Sequence, residues 1–159
     1  MADRAQIVFT PAHVDSGDGA TLAQALREEI SVMYDGLDLD GDSMPRAGAA
    51  ELSPPGGAFV VGYHNDLPAC CGGVKRLDDR RCEIKKMYVV PRLRGRGVAR
   101  ALLTELEDVG RRLGYVTARL DTGPKQHSAR GLYKSEGYLE VPDFNGNPVA
   151  VFWAEKPLR

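Results

Sequence analysis

No apolar run in this 159-residue sequence approaches the roughly 20 residues that a membrane span requires, and the amino-terminal MADRAQIVF lacks the long apolar core of a secretory signal. The expectation is a cytoplasmic protein with no membrane partner. Cysteine is scarce: there are three, with Cys70 and Cys71 adjacent and Cys82 in a separate predicted strand, giving neither an even disulfide set nor metal-ligand spacing. They read as reduced core thiols, and no metal site is expected. The triplet Asp38, Asp40 and Asp42 superficially suggests calcium, but the glycine and distal glutamate of an EF-hand are misplaced. A strong charge of either sign is also absent. The formal net charge of -1 argues against a dedicated nucleic-acid binder. Internal repeats and low-complexity tails are missing as well.

What is present has the composition of one globular domain spanning residues 1–159, with 43% hydrophobic and 27% charged residues. Charge is unevenly spread. The segment from Lys75 to Arg112 is rich in arginine and lysine, whereas Asp35 to Asp42 is acidic. The basic stretch reads either as a solvated face or as an attraction for a polyanionic cofactor.

The most informative stretch runs from Cys82 to Gly110, CEIKKMYVVPRLRGRGVARALLTELEDVG. It begins as a β-rich alternation, is stopped by Pro91, passes through a glycine- and arginine-rich turn, and continues as an apolar helical repeat. That order is strand, loop, helix N-terminus. A helix start leaves backbone N–H groups unpaired and carries partial positive charge, so glycines that let an anion approach make it a phosphate site. A dinucleotide fingerprint fails because Arg100 stands where the third glycine should be, and a P-loop fails because no Lys-Ser or Lys-Thr follows at the required spacing. The spacing that fits is R-x-x-G-x-G, Arg92 through Gly95 to Gly97.

The remaining pattern predicts a first strand over 6–13 and an amphipathic helix carrying Leu22, Leu26, Ile30 and Met33. A long loop from Asp35 to Gly57 has room for one short helix near Ala47 to Leu52. Strands Ala58–His64 and Ala69–Leu77 flank an Asn65–Pro68 turn and lead into the strand that ends near Val90, forming an antiparallel meander. After the helix that opens near Gly97, Val116–Thr122 is a strand expected to lie parallel to Glu83–Val90 through a right-handed crossover. A helix over Ser128–Glu136, a Gly146-Asn147 turn and a strand over Val149–Glu155 complete the chain. The fold class is therefore α/β (α+β), a mixed and mostly antiparallel sheet flanked by helices.

This order, the R-x-x-G-x-G loop, and ARGLYKSEGY over Ala129–Tyr138, which fits A-x-x-L-Y-x-x-x-G-[FY], resemble the GNAT superfamily of acyl-CoA-dependent N-acyltransferases. The resemblance implies acetyl-CoA as cofactor, with coenzyme A as product. It implies that the backbone of Met87, Tyr88 and Val89 pairs with the pantetheine arm. The pyrophosphate would be held by the segment Arg92, Leu93, Arg94, Gly95, Arg96, Gly97 and Val98. Gln126 stands where many members place an asparagine on that arm. Tyr133 aligns with the tyrosine that serves the departing thiolate, since a phenol can donate its proton or a hydrogen bond. Glu83 lies where some members carry a base, the alternative being a salt bridge to Lys85 or Arg81. His127 and Asp121 are weaker candidates, with structural roles at a helix start and a strand end.

For the acceptor, Tyr34, Asp35 and Asp38 would attract a cationic amine, while Phe144, Asn145 and Trp153 would shape the far wall. The function implied is direct acetyl transfer to the primary amine of a small molecule, since no cysteine has a nucleophile's setting. A protein lysine or N-terminal acetyltransferase and a catalytically silent acyl-CoA-binding module are the alternatives, and a homodimer is left open.

Overall fold

A computed structural model describes residues 4–159; the first three residues of the segment read above for a secretory signal lie outside it. Seven strands form one sheet in the order β1-β2-β3-β4-β5-β7-β6. They are β1 (Val8–Pro11), β2 (Ala58–His64), β3 (Leu67–Arg76), β4 (Arg81–Val89), β5 (Thr117–Thr122), β6 (Leu139–Glu140) and β7 (Phe152–Pro157). Three helices cover it: α1 (Gly17–Met33), α2 (Val98–Arg112) and α3 (His127–Ser135). Among the described residues no helix is long and apolar enough to cross a membrane.

Each helix is placed by its apolar stripe. Leu22, Leu26 and Ile30 of α1 pack with Phe59, Val61, Cys71 and Tyr88 on one face of the sheet. Val98, Leu102, Leu103, Leu106 and Val109 of α2 pack with Cys70, Val74, Cys82, Ile84 and Leu120 on the other. Gly72 admits this contact, because a Cβ there would stand 2.7 Å from Cδ1 of Leu106. The buried Glu107 on α2 accepts hydrogen bonds from Oη of Tyr138 at 2.9 Å and from Nζ of Lys156 at 3.1 Å.

Three local expectations change. The turn between β2 and β3 is the two residues Asn65 and Asp66, both with left-handed φ, of 50° and 65°. His64 and Leu67 already pair, so Leu67 and Pro68 belong to the strand. The segment near 47–52 makes one closed turn, Leu52 N–H to Gly48 C=O at 3.0 Å, and no helix. The last strand starts at Phe152 rather than Val149, because its partner β5 ends at Thr122, opposite Phe152. The carboxyl-terminal turn region is bridged back to the sheet by the short β6.

Two irregularities in β4 set up everything that follows. Its parallel ladder to β5 covers only Arg81–Glu83 against Thr117–Arg119, although both strands continue. Against β3, Cys71 faces Tyr88 and Gly73 faces Lys85, so β4 carries one residue more than its partner. The extra residue is a β-bulge, with Lys86 at φ 57°. The bulge bends β4 away from β5 and opens the sheet between them.

Cys70, Cys71 and Cys82 are fully buried, and burial pushes each thiol up to about 12. An unfolded thiol ionises near 8.5, so above that pH the unfolded chain holds fewer protons than the folded one and stability falls. The loss runs from about pH 8.5 towards pH 12 and reaches about 2 kcal/mol per thiol by pH 10. Urea unfolding at pH 8 and pH 10 checks this: the drop should shrink when the three cysteines are replaced by alanine.

Candidate active site

The opening between β4 and β5 holds two cavities. The larger, of about 650 Å³, lies between the end of β4, the start of α2 and α3. Met87, Tyr88 and Val89 form one wall, Leu93, Arg94, Gly95, Gly97 and Val98 one end, and Gln126, Ala129, Leu132 and Tyr133 the other wall. Gly95 and Gly97 have φ of 79° and 80°, conformations a side chain would strain, and they carry the chain straight into α2. The start of α2 therefore faces the cavity with its unpaired N–H groups and the positive end of its dipole.

The arginines expected around this loop divide. Arg94 lines the cavity, its guanidinium held by the Val89 carbonyl at 2.9 Å and Glu29 at 2.8 Å and stacked 5.5 Å from the Tyr88 ring centroid. Arg92 instead reaches the Pro68 carbonyl at 3.1 Å and does not line the cavity; the Arg96 carbonyl accepts the Ala5 N–H. Arg100, one turn into α2 and unremarked in the sequence except as a missing glycine, does line it and is anchored by Glu136 and Ser135.

The smaller cavity, of about 110 Å³, is walled by α1 (Leu26, Ile30), by Leu37, Leu39, Met44 and Pro45 of the long loop, and by Lys85, Asp121 and Asn147. Both cavities share Leu26, Ile30, Met87, Gln126 and Tyr133, so they meet at those residues. The divider is pinned. Tyr34 Oη donates to Gln126 Oε1 at 3.2 Å, which also accepts the Gly123 N–H at 3.0 Å. Tyr133 is buried, with its hydroxyl 3.7 Å from Met87 Sδ. Burial, and then the charge of Asp121, raise its pKa above the ordinary phenol value, so the proton is firmly held.

Beneath the smaller cavity lies a polar network. Glu83 is fully buried, and its Oε2 accepts from Lys85 Nζ at 3.1 Å and from Asn145 Nδ2 at 2.8 Å, while Oε1 is buried without a partner. Asn145 Nδ2 also donates to Asp121 Oδ2 at 2.7 Å, as does Asn147 Nδ2 at 3.1 Å. Trp153 Nε1 donates to Asn145 Oδ1 at 3.0 Å and so fixes the amide. Burial works against the Lys85 charge, but attraction to Glu83 and Asp121 and the hydrogen bond to Glu83 outweigh it and raise its pKa.

The residues expected at the acceptor end separate accordingly. Tyr34 lines the small cavity. Asp35 and Asp38 do not, and Asp38 pairs with Arg27 at 3.0 Å. Phe144 lies under Arg119, 5.1 Å from its guanidinium carbon, and Asn145 and Trp153 serve the network behind the wall. Lys85 and Asn147 were not expected at the cavity; the period-two spacing from Glu83 to Lys85 on one strand face is the signal for the first. Among the described residues no group of three or more His, Cys, Asp or Glu is placed to hold a metal ion.

Removing one partner of a buried ion pair leaves an uncompensated charge, which typically costs 3–5 kcal/mol. Lys85→Met should destabilise by about that much, and the double variant Glu83→Gln/Lys85→Met by less than Lys85→Met alone. A double-mutant cycle by urea unfolding measures the difference.

The chain resembles known proteins at three levels. The acetyltransferase (GNAT) family model matches residues 18–138. YsnE of Bacillus subtilis, an uncharacterized N-acetyltransferase, is 32% identical over 148 residues, covering 90% of this chain and 97% of its own. A Klebsiella pneumoniae protein described as an acyl-CoA N-acyltransferase superposes with a TM-score of 0.78 at 25% identity, covering 98% of this chain and 100% of its own. The GNAT family acetyltransferase from Elizabethkingia anophelis, solved with acetyl-CoA bound, shares the fold at 15% identity and a TM-score of 0.67, over 95% and 97% of the two chains. By sequence and by fold, this chain belongs to the acetyltransferase (GNAT) family and is an acyl-CoA N-acetyltransferase.

Proposed function

We propose that the protein transfers an acetyl group from acetyl-CoA directly to the primary amine of a small molecule. The observation that carries this reading is the meeting of two cavities at Tyr133 and Met87. The larger, with a helix start and Arg94 at one end, suits a phosphorylated carrier. Its long wall offers the β4 edge at Met87–Val89, which β5 leaves unpaired and where Arg94 holds the Val89 carbonyl, to the pantetheine amides, as an added strand would use it. The acetyl-CoA in the Elizabethkingia anophelis relative supports the same cofactor here.

The acceptor side is small, with polar and apolar lining in about equal measure, which favours a compact amine over an extended peptide. Direct transfer is supported by the thiols, since burial leaves all three protonated and away from either cavity. Tyr133 offers its proton to the departing thiolate, first as a hydrogen bond. The proton leaving the amine is taken up by the carboxylate network of Glu83 and Asp121.

Thermal unfolding in the presence of acetyl-CoA, CoA, ATP and NAD tests the cofactor. At about 100 times its dissociation constant, acetyl-CoA should stabilise by about 2.7 kcal/mol, with CoA similar and ATP and NAD inert. No shift with either CoA species would remove the reading. Thiol release with a panel of amines then tests turnover. Tyr133→Phe should lower kcat by about 10²-fold while the acetyl-CoA shift survives; a kcat within threefold of the parent protein would take the proton-donor role away from Tyr133.

A further inference from the structure

We infer that Asp121 is the residue that receives the acceptor's ammonium group and takes its first proton, and that the acceptor is a compact primary alkylammonium with an apolar body. The inference rests on the N-acetyltransferase reading above and deepens it at the acceptor site.

Two carboxylates belong to the network, and only one faces the cavity. Glu83 is fully buried and absent from the lining; Asp121 is part of the lining, together with Tyr133. Asp121 Oδ2 is held by Asn145 and Asn147, whereas no bond from the described residues occupies Oδ1. The next residue, Thr122, also lines the cavity, is 3% exposed, and its Oγ1 is buried without a partner. Thr122 alternates with Asp121 along β5, so its hydroxyl belongs to the opposite face of the strand and takes no part in holding the ammonium.

The local charge selects the ligand's sign. Glu83 and Asp121 face one ammonium, that of Lys85. The neighbouring cations are committed elsewhere. Arg119 pairs with Glu155 at 2.8 Å, Lys86 with Asp40 at 2.7 Å, and Arg27 with Asp38 at 3.0 Å. Lys75, opposite Glu83 on β3, donates to the Arg46 carbonyl at 2.7 Å. With two carboxylates facing the one ammonium of Lys85, and Lys86 paired to Asp40, the cavity favours a cation. One side of its wall, Leu26, Ile30, Leu37, Leu39, Met44 and Val149, fits a hydrocarbon body, while Tyr34, Gln126 and Asn147 add polar surface.

The proton count closes. The ammonium gives one proton to the Asp121 carboxylate, which passes it to solvent. The freed lone pair attacks the thioester carbonyl carbon, and the C–S bond breaks with its electron pair on sulfur. Tyr133 gives that sulfur a proton and regains one from the nitrogen of the tetrahedral adduct. The products are the acetamide, CoA thiol and one released proton. Glu83 acts at one remove: it holds Asn145 against Asp121 and keeps Lys85 charged, which makes it a positioning residue.

The test takes the best amine from the thiol-release panel and, as an inhibitor, the alcohol of the same carbon skeleton. In Asp121→Asn, kcat/KM for the amine should fall about 10²-fold or more, while the alcohol's inhibition constant and the KM for acetyl-CoA stay within about threefold. An amine kcat/KM within threefold of the parent protein overturns the inference, and so does an equal loss for amine, alcohol and acetyl-CoA. Should Asp121→Asn not fold, Asn147→Ala removes one donor from the carboxylate without removing a charge. It should lower the amine's kcat/KM several-fold with the alcohol unaffected, and no change in that ratio overturns the inference. A parent protein that turns over no amine in the panel refutes the broader reading instead.

Discussion

Everything at this site depends on three residue pairs being all that joins β4 to β5. Arg81, Cys82 and Glu83 meet Thr117, Ala118 and Arg119, and beyond them the strands part. A continuous ladder would have paired the β4 backbone through Val89 and closed the sheet. The bulge at Lys86 prevents that, because a left-handed residue turns the strand while β3 keeps its hold on Tyr88 and Val89. The sheet stays stable because β4 is paired to β3 on both sides of the bulge, at Ile84 and Lys85 and again at Tyr88 and Val89, and because β5 is held along its full length by β7. What is sacrificed on one edge becomes a slot lined by backbone amides, with a helix start at its end.

The same divergence sorts charge. Where the strands still pair, Glu83 is sealed in; where they part, Asp121 reaches open space. Asn145 joins the two carboxylates because the carboxyl-terminal loop folds under Arg119 and Trp153 and delivers its amide between them. Lys85 stays charged there despite its burial, through the electrostatics of two acidic neighbours. The bulge also brings Lys85 and Lys86, consecutive residues, to one cavity, and Lys86 ties the long loop to the sheet through Asp40.

The glycine loop and helix start of the larger cavity were legible because their requirements are local. Gly95 and Gly97 must take left-handed φ, the helix must start immediately after, and both conditions leave marks within a few residues. The Ala129–Tyr138 motif was legible for the same reason, being the body of α3 with its glycine stop at Gly137, in a spacing that places Tyr133 inward. The element order, apart from the two-residue β6, followed from hydrophobic periodicity punctuated by glycine, proline and turn residues. The acceptor side left no such mark. A lysine gives no warning that it will sit at φ 57°, and Asp121 reads as a strand end until β5 is placed beside a β4 that bends away. Arg92 shows the converse: the loop pattern suggested a phosphate contact, and the Pro68 carbonyl on the neighbouring strand captured its guanidinium. Phe144 and Trp153 looked like cavity walls and became supports behind the wall, since their partners come from β5 and the carboxyl-terminal loop.

A buried lysine–glutamate pair is weak evidence of stability, since well-packed hydrophobic residues of the same volume are often as good or better. Position for position, Glu83 and Lys85 stand where a plain strand would carry valine or isoleucine, on the inward face of a central strand. Their neighbours show that the site is not merely tolerating them. Trp153, Asn145, Asn147 and Asp121 all direct polar groups into the same few ångströms, and still Glu83 Oε1 is left over. Packing alone would select against such an arrangement. The proposed transfer, which takes a proton from a cation beside a tyrosine that holds its own until the thiolate departs, calls for a fixed negative charge at the cavity and a rigid frame behind it, and these residues are placed to supply both.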